Sequence, residues 1–497
     1  MKVFELLKKR NISCENNVVV SNGRINYSLE EIFKYTEIIS LELEKYKIQK
    51  NDVIALVSSS NPLVVSIILA ILKNNAVYLP INNDLPKERK QQIYHMCGVR
   101  LVICLENNTS INNFTKCISE INCIKKINSE MPQIIYIIFT SGSSGSPKAI
   151  MIREDNVINL INGLYTIIYS NYKNKENVAL ISPLYFDSSI KNLFMSIYMG
   201  FSLFLVDAEF KKNPRKLLNF YNINKITITD GTPGLIELLI KSALCFKTKL
   251  YIKHFLLGGE ILPKKLLNEI FSINEFENVL ITNLYGPTEC TVDSTYYNIQ
   301  KNTVIETIDV PLGYPMPNCN IYIVDSNNKI VEKNVLGEIF ITGDCVGEGY
   351  VGENYSNNYL NNIFDNKSKK MYKTGDLGFL DKNGLIHFYG RKEDSQIKIN
   401  GYRIDLIEIE RNILSILSKD AKIKVLVFKN KFNISTLVCV IETTNQIDCN
   451  YLRKELEKKL PNYMIPKKFL FLEKMPLNSN GKIDKSKLNK VIEKKDY

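Results

Sequence analysis

From about residue 25 to residue 290, short apolar runs alternate with longer amphipathic runs. One such unit begins at Ser28-Leu-Glu-Glu31, a capping box that opens an amphipathic stretch to Lys47. The candidate strand Val53 to Ser58 follows it. Strands that alternate with helices form stacked αβ units around largely parallel sheets. The sequence therefore predicts an α/β fold, in which ligands bind at the carboxyl ends of the strands.

The chain of 497 residues is too long for one ordinary hydrophobic core. Between Tyr296 and Tyr389 the helical period fades and turn residues separate short candidate strands, which indicates a β-rich subdomain. After Gly390-Arg391 the pattern becomes helix, strand, strand, helix, strand. We therefore predict a large N-terminal domain over residues 1–392 and a small, mobile α+β C-terminal domain over residues 393–497.

Composition excludes several classes of protein. With 45% hydrophobic and 23% charged residues, the chain is neither disordered nor fibrous. The longest apolar run, Pro62 to Leu72, is too short to cross a bilayer, and no signal peptide precedes it, so we expect a cytoplasmic protein without a membrane partner. The net charge of +12 suits an anionic ligand or an acidic partner, but no nucleic-acid motif accompanies it. The eleven cysteines include no CxxC pair, which argues against a zinc site.

A loop rich in serine and glycine follows the apolar strand Ile134 to Phe139. It reads Thr140-Ser-Gly-Ser-Ser-Gly-Ser-Pro-Lys148. Its glycines expose backbone N–H groups and its hydroxyls add donors, which favours phosphate binding. Pro147 occupies the place of the second glycine of a Walker A loop, so that motif is excluded. Taken alone, such a loop is more often a flexible connection.

Further motifs follow in the order that a nucleotide site requires. They are Leu72 to Pro80, Phe186-Asp-Ser-Ser189, Asn283-Leu-Tyr-Gly-Pro-Thr-Glu289, Gly337-Glu-Ile, Tyr372-Lys-Thr-Gly-Asp376, Gly390-Arg391, Leu460 to Pro466 and Asn480-Gly-Lys-Ile-Asp484. With these motifs the chain resembles the adenylate-forming enzymes of the acyl-CoA synthetase and luciferase superfamily. It is most similar to the amino-acid adenylation domains of nonribosomal peptide synthesis. All ten core motifs of that family are recognisable between about residues 25 and 485.

The resemblance implies an enzyme that uses ATP and Mg²⁺ to join a carboxylate to AMP and then passes the acyl group to a thiol. It assigns Lys482 as the catalytic lysine, Glu289 as the Mg²⁺ ligand and Thr288 as a donor to the α-phosphate. Without the resemblance, Lys482 is read as a solvated residue of a basic tail, and Thr288-Glu289 as the start of a helix.

The resemblance also implies the nucleotide contacts. Asp376 matches the ribose ligand, Asn283 and Tyr285 match the adenine contacts, and Arg391 matches a second ribose contact. The phosphate-binding loop consists of Thr140, Ser141, Gly142, Ser143, Ser144, Gly145 and Lys148. Outside this context, Asp376 is a turn aspartate, and Arg391 is equally suited to an interdomain salt bridge.

Asp187 matches the residue that distinguishes amino-acid adenylation domains from fatty-acid ligases, by pairing with the α-ammonium of the substrate. At about 4 Å and an effective dielectric near 20, such a pair is worth roughly 4 kcal/mol before desolvation. A helix N-cap at Asp187 or Ser188 is the alternative. The side-chain pocket projected from the motifs consists of Asp187, Ser188, Lys191, Asp230, Leu256, Gly258, Leu284, Val292, Asp293 and Lys482.

This lining resembles the pocket pattern associated with glutamate, with Lys191 facing the side-chain carboxylate of the substrate. Lys191 lies four residues after Asp187 and so shares its helix face, where a surface ion pair is the alternative. Charge counting favours a cationic substrate such as ornithine, because two aspartates outnumber one lysine. We expect L-glutamate, with an aspartate that orients Lys191, and keep glutamine as the next alternative.

The chain stops fifteen residues after Lys482 without a carrier motif, so we expect a freestanding enzyme that acts on a separate phosphopantetheinylated carrier protein. The resemblance implies that the small domain rotates about Glu393 or Asp394 between the two half-reactions. The rival functions are an acyl- or aryl-CoA ligase, a ligase for D-alanine or another amino acid, and a nonenzymatic nucleotide-binding homologue.

Overall fold

The structure is a computed structural model, and it describes most of the chain. The described residues are 2–10, 18–58, 60–107, 109–121, 123–125, 127–140, 147–276, 278–352, 358–364, 370–392, 396–399, 401–417, 422–429, 435–443, 447–476 and 485–495. The chain forms two compact units. The first comprises Met1–Asn83, Tyr94–Phe139 and Ala149–Lys392, and the second comprises Asp84–Ile93, Thr140–Lys148 and Glu393–Tyr497. The division into a domain over residues 1–392 and a domain over residues 393–497 stays a prediction.

The helices of the described residues lie in both units. In chain order they are α1 (Val3–Arg10), α2 (Leu29–Glu44), α3 (Leu63–Lys73), α4 (Lys87–Cys97), α5 (Glu154–Leu164), α6 (Ser188–Met199), α7 (Ala208–Lys211), α8 (Pro214–Ile223), α9 (Pro233–Cys245), α10 (Lys264–Phe271), α11 (Leu406–Ile416), α12 (Cys449–Glu457) and α13 (Lys485–Lys495). None of them is long and apolar enough to cross a membrane.

The strands of the described residues lie mostly in the first unit. In chain order they are β1 (Val19–Ser21), β2 (Asn26–Ser28), β3 (Val53–Ser58), β4 (Val77–Ile81), β5 (Val99–Leu105), β6 (Ile118–Glu120), β7 (Ile134–Thr140), β8 (Lys148–Arg153), β9 (Asn177–Leu180), β10 (Ser202–Leu205), β11 (Ile228–Gly231), β12 (His254–Gly258), β13 (Leu280–Tyr285), β14 (Thr295–Ile299), β15 (Tyr314–Pro315), β16 (Cys319–Val324), β17 (Gly337–Gly343), β18 (Gly349–Tyr350), β19 (Tyr359–Asn361), β20 (Lys370–Leu380), β21 (Ile386–Arg391), β22 (Gln396–Ile399), β23 (Tyr402–Asp405), β24 (Ile423–Lys429), β25 (Ser435–Glu442) and β26 (Lys468–Leu472).

Three sheets build the first unit. The largest runs β15-β14-β13-β12-β11-β9-β10-β1-β2, and its strands from β13 to β1 are parallel. A second runs β18-β8-β7-β4-β3-β5-β6, and a third runs β16-β17-β20-β19 with β21 added to β20. Parallel strands joined by helices confirm the predicted α/β fold, and the third sheet corresponds to the predicted β-rich subdomain.

Local sequence explains two central helices of this unit. The predicted capping box starts α2, since Ser28 Oγ accepts from the Glu31 N–H at 3.1 Å and Glu31 Oε2 accepts from the Ser28 N–H at 2.8 Å. Helix α3 is buried on all sides from Leu63 to Leu72 and packs against α2. An apolar surface all around a helix is typical of such burial.

The second unit contains the three-stranded sheet β24-β25-β26 and the hairpin β22-β23. Alternate residues of β25 face opposite cores: Cys439 packs with α11 and α12, whereas Val438 and Val440 pack with Leu488 of α13. This two-residue period places helices on both faces of the small sheet.

The predicted series of helix, strand, strand, helix and strand after Gly390-Arg391 is confirmed as α11, β24, β25, α12 and β26. The hairpin β22-β23 before it and α13 after it were not predicted. The strand predicted from Ile226 begins two residues later, at Ile228. There Lys225 has a φ of 45°, and the Ile226 N–H donates to the Tyr221 carbonyl at 3.1 Å, so these residues end α8.

Candidate active site

The carboxyl end of β13 carries three of the predicted nucleotide ligands, because Asn283, Tyr285 and the turn Thr288–Cys290 follow one another there. Asn283 is buried and donates its side-chain amide to the Pro311 carbonyl at 2.8 Å. Glu289 is only 1% exposed, and its Oε1 accepts from the Tyr350 hydroxyl at 3.0 Å. A buried carboxylate needs such donors. Thr288 is partly exposed.

Tyr285, Asp376 and Arg391 come together although they are far apart in the sequence. The Tyr285 hydroxyl donates to Asp376 Oδ2 at 2.6 Å, and Arg391 Nε donates to Asp376 Oδ1 at 2.6 Å. Burial, and then the Asp376 charge, raises the pKa of Tyr285, so its hydroxyl keeps the proton that it donates. Asp376 is thus held by one donor on each oxygen, and its ion pair with Arg391 lies within the first unit.

The backbone between Glu289 and Asp293 is strained. Thr291 and Val292 have φ values of 55° and 70°, which β-branched residues rarely adopt. Thr291 Oγ1 donates to the Cys345 carbonyl at 2.7 Å and holds this conformation. Such strain concentrates at functional sites, and here it connects the predicted metal ligand to two predicted pocket residues.

Lys191 and Asp293 form a buried ion pair in the predicted side-chain pocket. Lys191 Nζ lies 3.5 Å from Asp293 Oδ2, and each side chain is 5% exposed. Lys191 therefore does not form the alternative surface pair with Asp187. Asp230 is also buried, and its Oδ2 accepts from Ser182 Oγ at 2.9 Å. Its Oδ1 has no hydrogen-bond partner among the described residues.

Burial raises the pKa of both carboxyls in this pocket. At Asp230 and at Asp293 desolvation is the largest cause, and the Lys191 charge opposes it. Asp230 adds to the rise at Asp293. Burial also lowers the pKa of the Lys211 ammonium to about 8, against the charges of Asp230 and Asp207. Burial therefore makes the ionised form of each acid less favourable than it is in water.

The other predicted pocket residues line strand ends and the start of α6. Leu256, Leu284 and Val292 are buried, and a Cβ on Gly258 would lie 2.7 Å from the Leu284 carbonyl oxygen. Asp187 and Ser188 are partly exposed at the start of α6. Asp187 occupies the N-cap position of α6, as the alternative predicts, but its side chain makes no capping hydrogen bond.

Several predicted residues lie outside the described part of the chain. They are Ser141, Gly142, Ser143, Ser144, Gly145, Glu393, Asp394 and Lys482. Thr140 and Lys148, which flank the loop, are described and partly exposed. Thr140 Oγ1 is buried without a hydrogen-bond partner among the described residues, as a phosphate donor would be. Before the predicted hinge, the Lys392 N–H donates to the Gly375 carbonyl at 2.8 Å.

The described residues of the first unit fit the ribose and the Mg²⁺ of bound ATP, since Asp376 offers a fixed carboxylate for hydroxyl ligands and Glu289 offers a second buried carboxylate. No group of three His, Cys, Asp or Glu side chains among the described residues is placed to hold a metal ion. Glu289 therefore offers one carboxylate. In nucleotide sites Mg²⁺ is commonly held by one or two carboxylates, while phosphates and water supply its other ligands.

Sequence reasoning missed several residues of this site. Tyr350 contacts Glu289, and Thr291 fixes the strained turn. The Tyr136 hydroxyl is buried without a partner among the described residues, and the charges of Asp187 and Asp293 add to the rise of its pKa that burial causes. These contacts join residues from distant strands, so no local motif reveals them.

The family model for AMP-binding enzymes matches residues 10–351. The chain belongs to the AMP-binding enzyme family. In this AMP-binding enzyme, the matched residues include Glu289, Tyr285 and the pocket around Lys191, whereas Asp376 and Arg391 lie beyond the match.

Relatives include large synthases and ligases of similar length. The chain is 32% identical to bacitracin synthase 1 of Bacillus licheniformis over 98% of its residues, which is 9% of that protein's length. It is 29% identical to surfactin synthase subunit 1 of Bacillus subtilis (strain 168), spanning 14% of it. It is also 29% identical to a D-alanine–D-alanyl carrier protein ligase of Listeria monocytogenes, over 92% of both chains.

Solved structures share the fold. Holo-PA1221, a nonribosomal peptide synthetase protein containing adenylation and PCP domains, matches with a TM-score of 0.80 and 21% identity, over 98% of this chain and 84% of that one. The Vibrio cholerae adenylation domain AlmE, in complex with glycyl-adenosine-5′-phosphate, matches with a TM-score of 0.81 and 18% identity, over 99% and 97% of the two chains.

Proposed function

We propose that the chain is an AMP-forming ligase that activates an amino acid with ATP and transfers it to the pantetheine thiol of a carrier protein. The observation that carries the proposal is the convergence of Tyr285 and Arg391 on the Asp376 carboxylate, in a chain of the AMP-binding family. Full-length similarity to a carrier protein ligase supports the second half-reaction.

In the first half-reaction, a carboxylate oxygen of the amino acid bonds to the α-phosphorus of ATP, and pyrophosphate leaves. In the second, the pantetheine thiolate bonds to the acyl carbon, and AMP leaves with the electrons of the broken C–O bond. Two anions meet in the first step, so cationic side chains lower its barrier. Lys482 takes this role on the evidence of the sequence alone. Mg²⁺, when bound through Glu289, neutralises phosphate charge.

We propose glutamate as the amino acid, with Asp187 pairing with the α-ammonium. With Asp230 and Asp293 both ionised, these two acids and Lys191 carry one net negative charge, which suits a cationic substrate such as ornithine when the neighbouring Lys211 is neutral. Burial raises the pKa of both acids, and we propose that the pair holds one proton when the substrate is bound. The pocket then offers an ammonium and a carboxylic O–H, two donors that suit a γ-carboxylate. The side-chain amide oxygen of glutamine would accept from the same two donors, but these hydrogen bonds would be weaker because the amide carries no charge.

D-Alanine is the second candidate, because ligases for it match this chain over 92% of both lengths. The methyl side chain of D-alanine, however, would offer no polar partner to the buried Lys191–Asp293 pair. It would also offer none to Asp230 Oδ1, which has no hydrogen-bond partner among the described residues. Unsatisfied buried polar groups are costly, which favours a polar substrate side chain.

The test is amino-acid-dependent exchange of labelled pyrophosphate into ATP, measured with glutamate, glutamine, ornithine and D-alanine. We expect the highest exchange with glutamate, loss of exchange in Lys482→Ala, and loss of the glutamate preference in Lys191→Met. Exchange with none of the amino acids would contradict the proposed reaction. A D-alanine preference that persists in Lys191→Met would contradict only the glutamate assignment.

A further inference from the structure

The carboxylate of Glu289 has a neighbour that no motif identified. Tyr350 is the second residue of β18 and is 6% exposed, and its hydroxyl donates to Glu289 Oε1 at 3.0 Å. Building on the proposed function, in which Glu289 holds Mg²⁺, we propose that Tyr350 is a positioning residue that orients the Glu289 carboxylate for the metal. Ligating carboxylates are commonly oriented in this way by outer hydrogen-bond partners.

The main chain of Glu289 is held by the same stretch of sequence. The Gly347 N–H donates to the Glu289 carbonyl at 2.9 Å, and the Tyr359 hydroxyl donates to that carbonyl at 3.3 Å. A Cβ on Gly347 would lie 3.1 Å from this carbonyl oxygen and 2.7 Å from Ile152, so the approach is close. The side chain and the backbone of Glu289 are therefore fixed by Gly347, Tyr350 and Tyr359.

Residues 348–351 also pair with the strand that follows the serine- and glycine-rich loop. The Glu348 N–H donates to the Met151 carbonyl at 2.8 Å, and the Val351 N–H donates to the Ala149 carbonyl at 2.9 Å. Tyr350 is thus one of the two residues of β18 that pair antiparallel with β8. Its hydroxyl is held against Glu289 by backbone hydrogen bonds on both sides.

The hydroxyl of Tyr350 can be separated from its ring. The ring packs against Tyr359 with centroids 5.3 Å apart, and Tyr359 packs in turn against Tyr372 at 5.1 Å. Tyr350→Phe keeps this aromatic packing and removes the hydroxyl that donates to Glu289. A purely structural role predicts a change in thermal stability alone, whereas a positioning role predicts a change in metal affinity.

The experiment measures Mn²⁺ binding to the enzyme in the presence of ATP by electron paramagnetic resonance of the free ion. We expect Tyr350→Phe to raise the Mn²⁺ dissociation constant about 10-fold, the usual effect of losing an outer partner of a metal ligand. In pyrophosphate exchange, we expect the Mg²⁺ concentration for half-maximal rate to rise similarly, while the KM for the amino acid stays unchanged.

Tyr78→Phe is the matched control, because Tyr78 is a buried tyrosine of β4 whose hydroxyl has no hydrogen-bond partner among the described residues. Glu289→Gln is the second control. If Glu289→Gln weakens Mn²⁺ binding but Tyr350→Phe binds like the wild type, the positioning role is refuted and the metal ligand stands. If Glu289→Gln itself binds Mn²⁺ normally, the metal assignment within the proposed function fails, and the positioning role with it.

Discussion

Replacing Lys191 with methionine removes the ammonium that lies 3.5 Å from Asp293 Oδ2 and keeps a side chain of similar length. At this distance and an effective dielectric of about 20, the attraction is about 5 kcal/mol. Both groups are 5% exposed, so the remaining Asp293 stays in a desolvated site. Breaking a buried pair in this way costs about 3–5 kcal/mol, and we expect Lys191→Met to lose that much unfolding free energy at pH 8.

The pH dependence and a double variant give this prediction its sharpest form. Because burial raises the pKa of Asp293, the loss in Lys191→Met is expected to shrink as the pH is lowered and the unpaired carboxyl takes up a proton. Lys191→Met/Asp293→Leu removes the unpaired Asp293 carboxylate, while Asp230 keeps its interaction with the Lys211 charge, and we expect recovery of more than half of the loss. The measurement is urea unfolding by circular dichroism, because the chain has no tryptophan to serve as a fluorescent probe.

Lys241→Met is the matched control, since Lys241 pairs with Glu237 on the exposed surface of α9 and its loss is expected to cost less than about 1 kcal/mol. A loss in Lys191→Met no larger than in the control, or no recovery in the double variant, would refute the reasoning that Lys191 neutralises a buried carboxylate.

Two further predictions concern the large sheet. Burial lowers the pKa of His254 from 6.5 to about 3, so the stability from its neutral ring is complete above pH 6.5 and is lost as the pH falls toward 3. Because of this residue, we expect the unfolding free energy to be about 2 kcal/mol lower at pH 5 than at pH 7.5. His254→Gln is expected to lack this decrease, and an equal decrease in both proteins would contradict the prediction. Gly258→Ala places a Cβ 2.7 Å from the Leu284 carbonyl oxygen, and we expect the KM for the amino acid to rise at least about 10-fold, with ATP binding unchanged. Gly234→Ala, where the Cβ has only an ordinary contact at 3.6 Å, is its control; an equal effect in both variants would contradict the assignment.

Most elements of the large unit were predictable from local sequence. Helix α6 begins and ends at the predicted residues, and the capping box of Ser28 and Glu31 forms as expected. Both depend on side-chain period and on contacts within four residues, which the sequence displays directly. The hairpin β22-β23 carried a comparable local signal, the dipeptide Asn400-Gly401 between alternating apolar residues, but it was missed.

The candidate site was predictable in its residue types but not in its hydrogen bonds. Asp376 could be identified from its motif, whereas its bond to Tyr285 joins residues 91 positions apart. The contact between Tyr350 and Glu289 depends on the pairing of β18 with β8, which the sequence pattern does not specify. The burial of Asp230 and Asp293, which controls the charge of the pocket, likewise arises only from tertiary packing.

The most direct test of the proposed reaction follows oxygen atoms. Glutamate labelled with ¹⁸O in its α-carboxylate is incubated with the enzyme, ATP and Mg²⁺, and the activated acyl group is released with hydroxylamine. If the carboxylate bonds to the α-phosphorus, mass spectrometry will find one ¹⁸O atom in each AMP formed. Unlabelled AMP, or ADP accompanied by labelled phosphate, would contradict activation of the amino acid as an acyl adenylate.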